Sequence, residues 1–261
     1  MRHIVLFDLD GTLTPARGSM TKENVSSLLD DLLVPGKTRV GILTGSGLDY
    51  VKQQVPDGLF EEGLEVFPCN GTQHWIRDWQ KCWRRMDPLY SMREEIGADT
   101  YRRMVFDLLA LQRNFMQQHP LQVTGNFISY RESMLNWCPV GRESGSEERE
   151  AFRQFDIRTG WRQEALAQLR QLFTSYGKEI DVKLGGDTSF DIFPEGWNKT
   201  FVMHRLRGHT VWFVGDRCRG DGNDREIYEL LAADGTAFEV SHHDETPSVI
   251  RQIRDSIDKS A

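Results

Sequence analysis

The sequence predicts an α/β fold: a Rossmann-like doubly wound parallel sheet core with an inserted α+β cap domain. Three observations point to it. Short, wholly apolar runs alternate with helical apolar spacing near the N-terminus, the same alternation returns after about residue 193, and the stretch between has a different texture. With 261 residues, 39% of them hydrophobic, the chain can bury a substantial core.

Ile4-Val5-Leu6-Phe7 reads as a buried parallel strand that ends abruptly in acidic, glycine-containing sequence. Val25, Leu28, Leu29 and Leu32 give Thr21 to Leu33 a helical spacing that stops near Pro35-Gly36, and Val40 to Leu43 follows as a second strand. Residues 48–55 form the next helix and Leu64 to Phe67 a third strand closed by Pro68. From about residue 79 the pattern changes, with one long polar helix from Ser91 to Gln118, a strand at 126–130, a helix from Ser146 to Tyr176 broken near Gly160, and strands near 180–183 and 189–192. A helix at 197–206, a strand at 211–214, a helix at 223–232, a strand at 238–240 and a closing helix restore the first pattern. The expected division is a discontinuous core of 1–78 and 193–261 around a cap of 79–192.

A formal charge of −7 disfavours nucleic acid and anionic membrane as partners and favours small ligands met by local basic groups. No apolar run reaches the roughly 20 residues needed to span a bilayer. Four well-separated cysteines and the lack of a secretory leader read as a reduced, cytoplasmic protein. Seven histidines show no zinc spacing and read as packing or surface residues. Trp75, Trp79 and Trp83 beside Arg84-Arg85 read as packing aromatics rather than a stacking platform.

The sharpest chemical signal is Asp8-Leu9-Asp10-Gly11-Thr12, two carboxylates at the carboxyl end of the first strand, where open α/β sheets bind ligands. One carboxylate can attack a phosphoryl group, the other can shuttle a proton, and Mg²⁺ would offset their repulsion with phosphate. A plain turn or a calcium loop is the competing reading, and the missing downstream ligands disfavour calcium. Three further segments fall at strand or helix ends. Thr44 or Ser46 could donate a hydroxyl to a phosphoryl oxygen, Lys199 could neutralise developing charge, and Asp216, followed by Asn223-Asp224, could complete a magnesium shell with Asp8 and Asp10.

These four segments resemble the motifs of the haloacid dehalogenase superfamily, whose members use the first aspartate as nucleophile. Across nearly the full length the chain is similar to the eukaryotic-type phosphomannomutases, through Asp8 to Arg17, Phe67-Pro68 with Asn70-Gly71, Phe127 to Arg149, Gly185 to Lys199 and Gly215 to Glu226. The resemblance implies that Arg17 and the cap residues Arg131, Arg142 and Arg149 hold the sugar phosphate, with Ser189 and Asp191 contacting substrate. Guanidinium forks suit a phosphate dianion. The chain departs from the family pattern at Thr44-Gly45-Ser46, where Gly-Gly-Ser is usual, at Asp187, and at Tyr228-Glu229-Leu230, which lacks an aspartate used for a second cation.

The implied activity is interconversion of mannose 6-phosphate and mannose 1-phosphate through an aspartyl-phosphate on Asp8, with Asp10 as acid and base and a hexose 1,6-bisphosphate of glucose or mannose as activator. Glucose phosphates are an additional expected substrate, GDP-mannose biosynthesis the expected use of the product, and a homodimer through the cap the expected assembly. A sugar-phosphate phosphatase and a non-catalytic phospho-ligand binding module remain the alternatives.

Overall fold

The structure, a computed structural model, describes residues 2–34 and 36–260; Pro35, where the first helix was expected to stop, lies outside the described residues. The chain divides into two compact units, Met1–Pro88 with Asn198–Ala261, and Leu89–Trp197.

The first unit is built on a seven-stranded sheet of order β11-β10-β1-β2-β3-β4-β5. Strands β1 (Arg2–Phe7), β2 (Thr38–Leu43), β3 (Glu65–Phe67), β10 (His209–Gly215) and β11 (Ala237–Glu239) are mutually parallel. The apolar run of β1 is long enough to bury both faces. Val5 and Phe7 pack with Val40, Ile42, Val66 and Val214 on one face, while Ile4 and Leu6 pack with Leu43, Phe67, Val211 and Phe213 on the other. Helices α1 (Lys22–Ser27), α2 (Leu48–Gln54), α3 (Asp57–Glu61) and α9 (Thr246–Ser260) belong with the first face, and α8 (Arg225–Ala232) with the second. Because β1 is flanked by β2 and β10, the chain changes direction across the sheet at β1, and the crevice at its carboxyl end is the topological switch point.

Strands β4 (Trp75–Arg77) and β5 (Trp83–Arg85) form an antiparallel hairpin that extends this same sheet, so the first junction falls at 88/89 rather than 78/79. Trp83 meets Phe60 edge-on at 4.9 Å between centroids, and Trp75 packs on the same cluster. Trp79, expected to pack, stands at the hairpin turn with 88% of its surface exposed.

The second unit is an antiparallel sheet of order β6-β7-β9-β8, formed by Ile128–Tyr130, Leu135–Trp137, Ser189–Pro194 and Ile180–Gly185 respectively. Its period-2 alternation sends Leu135, Trp137, Phe190, Ile192 and Val182 into a core with α4 (Met92–Ile96), α5 (Ala98–Gln118) and α7 (Trp161–Thr174). The intervening residues Ser129, Asn136, Asp191 and Lys183 stand opposite one another in register, forming a polar row across the other face. Strand β9 runs to Pro194, which carries the second junction from 192/193 to 197/198. The expected single helix from Ser91 is two, because Gly97 adopts φ +86° between α4 and α5. The break at Gly160 separates α6 (Ser146–Thr159) from α7 through a left-handed C-cap. The segment expected as a helix at 197–206 is a short 3₁₀ helix, Lys199–His204.

A clamp joins the amino-terminal ends of the central strands. Arg39 on β2 donates to Glu65 on β3 from Nε and Nη2, at 2.6 and 2.7 Å, and His74 meets the same carboxylate at 2.6 Å. Burial opposes the charge of Glu65, but the hydrogen bonds from Arg39 and His74 outweigh it and hold the carboxyl below its usual range. Such a group contributes stability above its unfolded pKa, about 4.3, and loses that contribution as pH falls through the lower folded value. Glu65→Gln is therefore expected to lower the melting temperature at pH 7, with the gap to wild type narrowing as pH drops below about 4; thermal melts across pH check this, and a gap independent of pH contradicts it.

Candidate active site

Three strand ends supply the candidate site. Asp8 follows β1, Thr44 follows β2 and Asp216 follows β10, and the pairing of Phe7 with Val214, continued by Asp8 N–H donating to the Val214 carbonyl at 2.9 Å, sets Asp8 beside Gly215-Asp216. Buried Leu9 and Leu13 anchor the intervening loop in the core. Gly11 is required twice over: its φ is +88°, and a Cβ there would run into the Asp216 carboxylate.

Lys199 enters from the start of its 3₁₀ helix, which the Asn198 side chain caps by accepting from the Thr200 N–H. Its ammonium, fully buried, lies 2.5 Å from Asp8 Oδ1 and 2.5 Å from Asp224 Oδ1. Asp224 Oδ2 accepts from the Arg217 N–H at 3.0 Å, so Asp224 fastens Lys199 to the loop carrying Asp216. Gly215 leaves the room Asp224 needs, since a Cβ there would approach its carboxylate to 2.7 Å.

Asp8, Asp216 and Asp224 each bring a carboxylate oxygen to within 4.8 Å of the others. Three carboxylates face one ammonium, with the Arg217 guanidinium 3.7 Å from Asp216, so carboxylates outnumber the cations that meet them. Burial pushes the Asp8 carboxyl up to about 8, against the pull of Lys199 and with the charges of Asp224 and Asp216 adding to the rise. Burial, then the charge of Asp224, raises Asp216 to about 6. Burial opposes the Lys199 charge, yet Asp224 and Asp8 more than offset it and raise its pKa. Asp216 Oδ1 and Asn223 Oδ1 are buried with no hydrogen-bond partner among the described residues. An oxygen-only donor set with more carboxylates than cations and an unpartnered carboxylate oxygen fits a hard divalent cation such as Mg²⁺.

Asp10, expected in that donor set, is not brought into the carboxylate cluster. Its Oδ1 accepts from the Arg17 N–H at 2.7 Å and from the Tyr50 hydroxyl at 2.9 Å, which turn the side chain to a separate position in the loop. Arg17 makes that bond from a left-handed conformation, φ +60°, uncommon for a non-glycine residue. Thr44 is buried and its Oγ1 accepts from the Ser46 N–H at 3.1 Å, so the hydroxyl shapes the turn that presents Ser46. The Thr44 and Ser46 carbonyls accept from Asn70 and Cys69, both in left-handed backbone, which ties the turn to the 67–71 loop.

In the second unit the polar row gathers the other expected residues. Asn136 Nδ2 donates to Asp191 Oδ1 at 2.7 Å and to Ser189 Oγ at 3.0 Å, and the Arg131 guanidinium lies 3.8 Å from Asp191. Arg149 is engaged mainly with the cap's own loops: it donates to the carbonyls of Ser144, Gly141 and Arg142 and to the Thr188 hydroxyl, at 2.6–3.1 Å. It therefore braces the turn carrying Arg142. Arg162, buried, similarly holds the Gly186 and Ser189 carbonyls at 2.9 Å. Asp224, visible in the sequence only as part of the segment after Asp216, takes the place in the carboxylate cluster expected of Asp10, whereas Tyr50 and Thr188 carry no sequence signal.

The eukaryotic phosphomannomutase family model matches residues 29–256. The chain belongs to that family. A probable phosphomannomutase of Caenorhabditis elegans is 33% identical over 232 residues, covering 87% of this chain and 86% of the relative. The phosphomannomutase of Encephalitozoon cuniculi is 31% identical over 247 residues, covering 93% and 90%. Among solved structures, the N-terminally truncated, IMP-bound IMP-nucleotidase of Plasmodium falciparum superposes with a TM-score of 0.67 at 14% identity, covering 97% of this chain and 68% of that one. The C-terminal domain of the Candida albicans trehalose-6-phosphate phosphatase gives 0.60 at 14% identity, covering 98% and 93%. At that identity the likeness is one of fold. The family match begins downstream of Asp8, so the contact of Asp8 with Lys199 is an observation the match does not contain.

Lys199 is the sole cation at hydrogen-bond distance from Asp8 among the described contacts. Lys199→Met should cost about 3–5 kcal/mol by stranding buried carboxylates, and abolish turnover. Denaturant unfolding with and without Mg²⁺ checks this; wild-type stability in the variant contradicts the arrangement.

Proposed function

We propose that this enzyme interconverts mannose 6-phosphate and mannose 1-phosphate through an aspartyl-phosphate on Asp8, primed by a hexose 1,6-bisphosphate of glucose or mannose, and that it accepts glucose phosphates as well. The observation that carries the reading is the buried Asp8–Lys199–Asp224 cluster at the carboxyl end of β1, in a chain of the eukaryotic phosphomannomutase family.

Lys199 holds Asp8 Oδ1, which leaves Oδ2 to attack the phosphorus of the bisphosphate. As the acyl phosphate forms, Asp10 gives its proton to the departing sugar oxygen. In the return step the hydroxyl of the bound monophosphate takes the phosphoryl group and yields its proton to Asp10. The Arg17 N–H and Tyr50 hydroxyl fix Asp10 through Oδ1 and so set the direction of its other oxygen. Asp8 and Asp216, with Asp224 beside them, would hold Mg²⁺, which would supply charge neutralisation for phosphate next to these carboxylates. Thr44 and Ser46 present hydroxyls to the transferring group.

Phosphate binding is assigned to Arg17 in the first unit and, in the second, to Arg131, Arg142 and Arg149. Arg131 is oriented by Asp191, Arg142 is carried on the turn that Arg149 braces, and Ser189 and Asp191 meet sugar hydroxyls. A set of guanidinium groups supports a mutase over a phosphatase, because only the mutase must grip a second phosphate while the intermediate turns. We also assign a homodimer through the cap, supported by the exposed stripe of Phe106, Leu109 and Met116 on α5. No helix among the described residues is long and apolar enough to cross a membrane.

Phosphorus NMR of the protein with Mg²⁺, mannose 1-phosphate and a trace of glucose 1,6-bisphosphate should show mannose 6-phosphate growing without inorganic phosphate. Release of inorganic phosphate alone would make the protein a phosphatase, and an unchanged spectrum would leave it a binding module. In steady-state assays Asp10→Asn should lower kcat by about 10²–10⁴-fold. Arg142→Ala should instead act mainly through KM, lowering kcat/KM by about 10–100-fold for loss of a charge-assisted phosphate contact. Equal effects of both variants on kcat with KM unchanged would contradict the division of roles.

A further inference from the structure

Outside the catalytic carboxylates, the described residues contain a second cluster of metal-ligating side chains, His242, His243 and Asp244. It lies in the turn between β11 and α9, and no step of the proposed reaction uses it. Because the ligands are consecutive residues, they escape the i, i+4 and CxxC-type spacings by which metal sites are read from sequence. The backbone nevertheless curls so that their donor atoms converge. His242 Nδ1 is 3.0 Å from Asp244 Oδ2, His243 Nε2 is 3.3 Å from Asp244 Oδ1, and one donor atom of each residue lies within 4.8 Å of the other two. The two imidazole rings are 3.9 Å apart between centroids.

These separations are close to what a small cation needs. With bonds of about 2.0–2.1 Å, tetrahedral ligands stand roughly 3.4 Å from one another. The donor chemistry selects the metal class: two imidazoles and one carboxylate favour a borderline transition-metal divalent cation and disfavour Mg²⁺ and Ca²⁺, which take oxygen. Three protein donors leave coordination positions for water.

The turn is also held in place. The Ser241 N–H donates to Glu245 Oε2 at 2.8 Å, and Glu245 N–H donates to the His242 carbonyl at 3.0 Å. Asn24, fully buried, donates from Nδ2 to the His243 carbonyl at 3.1 Å and to the Leu13 carbonyl at 3.0 Å. The Thr246 hydroxyl donates to the Thr12 carbonyl at 2.6 Å. Two side chains thus tie this turn to the loop that carries Asp8 and Asp10, so His243 needs little ordering to bind.

We propose that His242, His243 and Asp244 form a binding site for a transition-metal divalent cation such as Zn²⁺ or Co²⁺, distinct from the carboxylate cluster and fastened to the catalytic loop through Asn24 and Thr246. The ordinary role such residues could have is a pair of histidine–carboxylate contacts, which would hold no metal.

Cobalt serves as the probe because its visible absorption reports ligand type. The untagged full-length protein, kept in excess Mg²⁺ to occupy the carboxylate cluster, is titrated with Co²⁺. The site predicts one equivalent bound with a d–d band, a loss of at least tenfold in affinity in His242→Ala and in Asp244→Asn, and retained binding in Asp216→Asn. The His242 and Asp244 side chains are 59% and 69% exposed, so these two variants should fold normally. No band in the wild type, or a band that survives His242→Ala and disappears in Asp216→Asn, would overturn the proposal.

Discussion

The buried ammonium of Lys199 is the constraint on which the rest of the site depends. An ammonium with no exposed surface is tolerated only when paired and hydrogen-bonded, and here it is held between Asp8 and Asp224. The pairing fixes Asp8 at the mouth of β1, and through Asp224 it fixes the loop that carries Asp216. Burial, with the charge of Asp224 adding to it, raises Asp8 and Asp216 together, and the crowding of carboxylate oxygens suits a divalent cation. Gly11 and Gly215 are small because these carboxylates occupy the space their side chains would need.

The sheet makes this concentration of charge affordable. With β1 buried on both faces, its carboxyl end is a rigid post, and the parallel neighbours β2 and β10 end beside it. Turns that follow parallel strands carry backbone N–H and hydroxyl groups to one edge, so the Thr44–Ser46 turn and the 67–71 loop meet there although some twenty residues separate them in sequence. The cap solves a different problem. Its sheet commits one face to Leu135, Trp137, Phe190 and Ile192 and frees the alternate positions Asn136, Asp191 and Lys183 for a polar row. Arg149 and Arg162, which donate mostly to backbone carbonyls, hold the loops around that row in one conformation.

Much of the fold was legible because its signals are local. Ile4 to Phe7 reads as a buried strand from its own four residues, and Gly160 marks a helix break by its conformational freedom alone. What was missed depends on partners distant in sequence. Leu135–Trp137 is too short, and interrupted by Asn136, to announce a strand until β9 pairs with it. The hairpin of Trp75 and Trp83 belongs to the core sheet because Val66 pairs with Trp75, a register no periodicity reveals. Within the site, the aspartates and lysine were visible as residue types after strands, whereas the rotation of Asp10 toward Tyr50, and its exclusion from the cluster that Asp224 joins, depend on side-chain direction. His242-His243-Asp244 escaped notice for a related reason: adjacency in a turn, rather than helical spacing, brings those donors together.

Covalent phosphorylation of Asp8 is the proposed step on which the others rest, and trapping the acyl phosphate reads it out. Protein incubated with Mg²⁺ and glucose 1,6-bisphosphate is reduced with borohydride, which converts an aspartyl-phosphate to homoserine, and the peptides are then sequenced by mass spectrometry. Homoserine at position 8 is the expected result. Unmodified Asp8 in protein that still interconverts the sugar phosphates, or homoserine at Asp10, Asp216 or Asp224 instead, would contradict it.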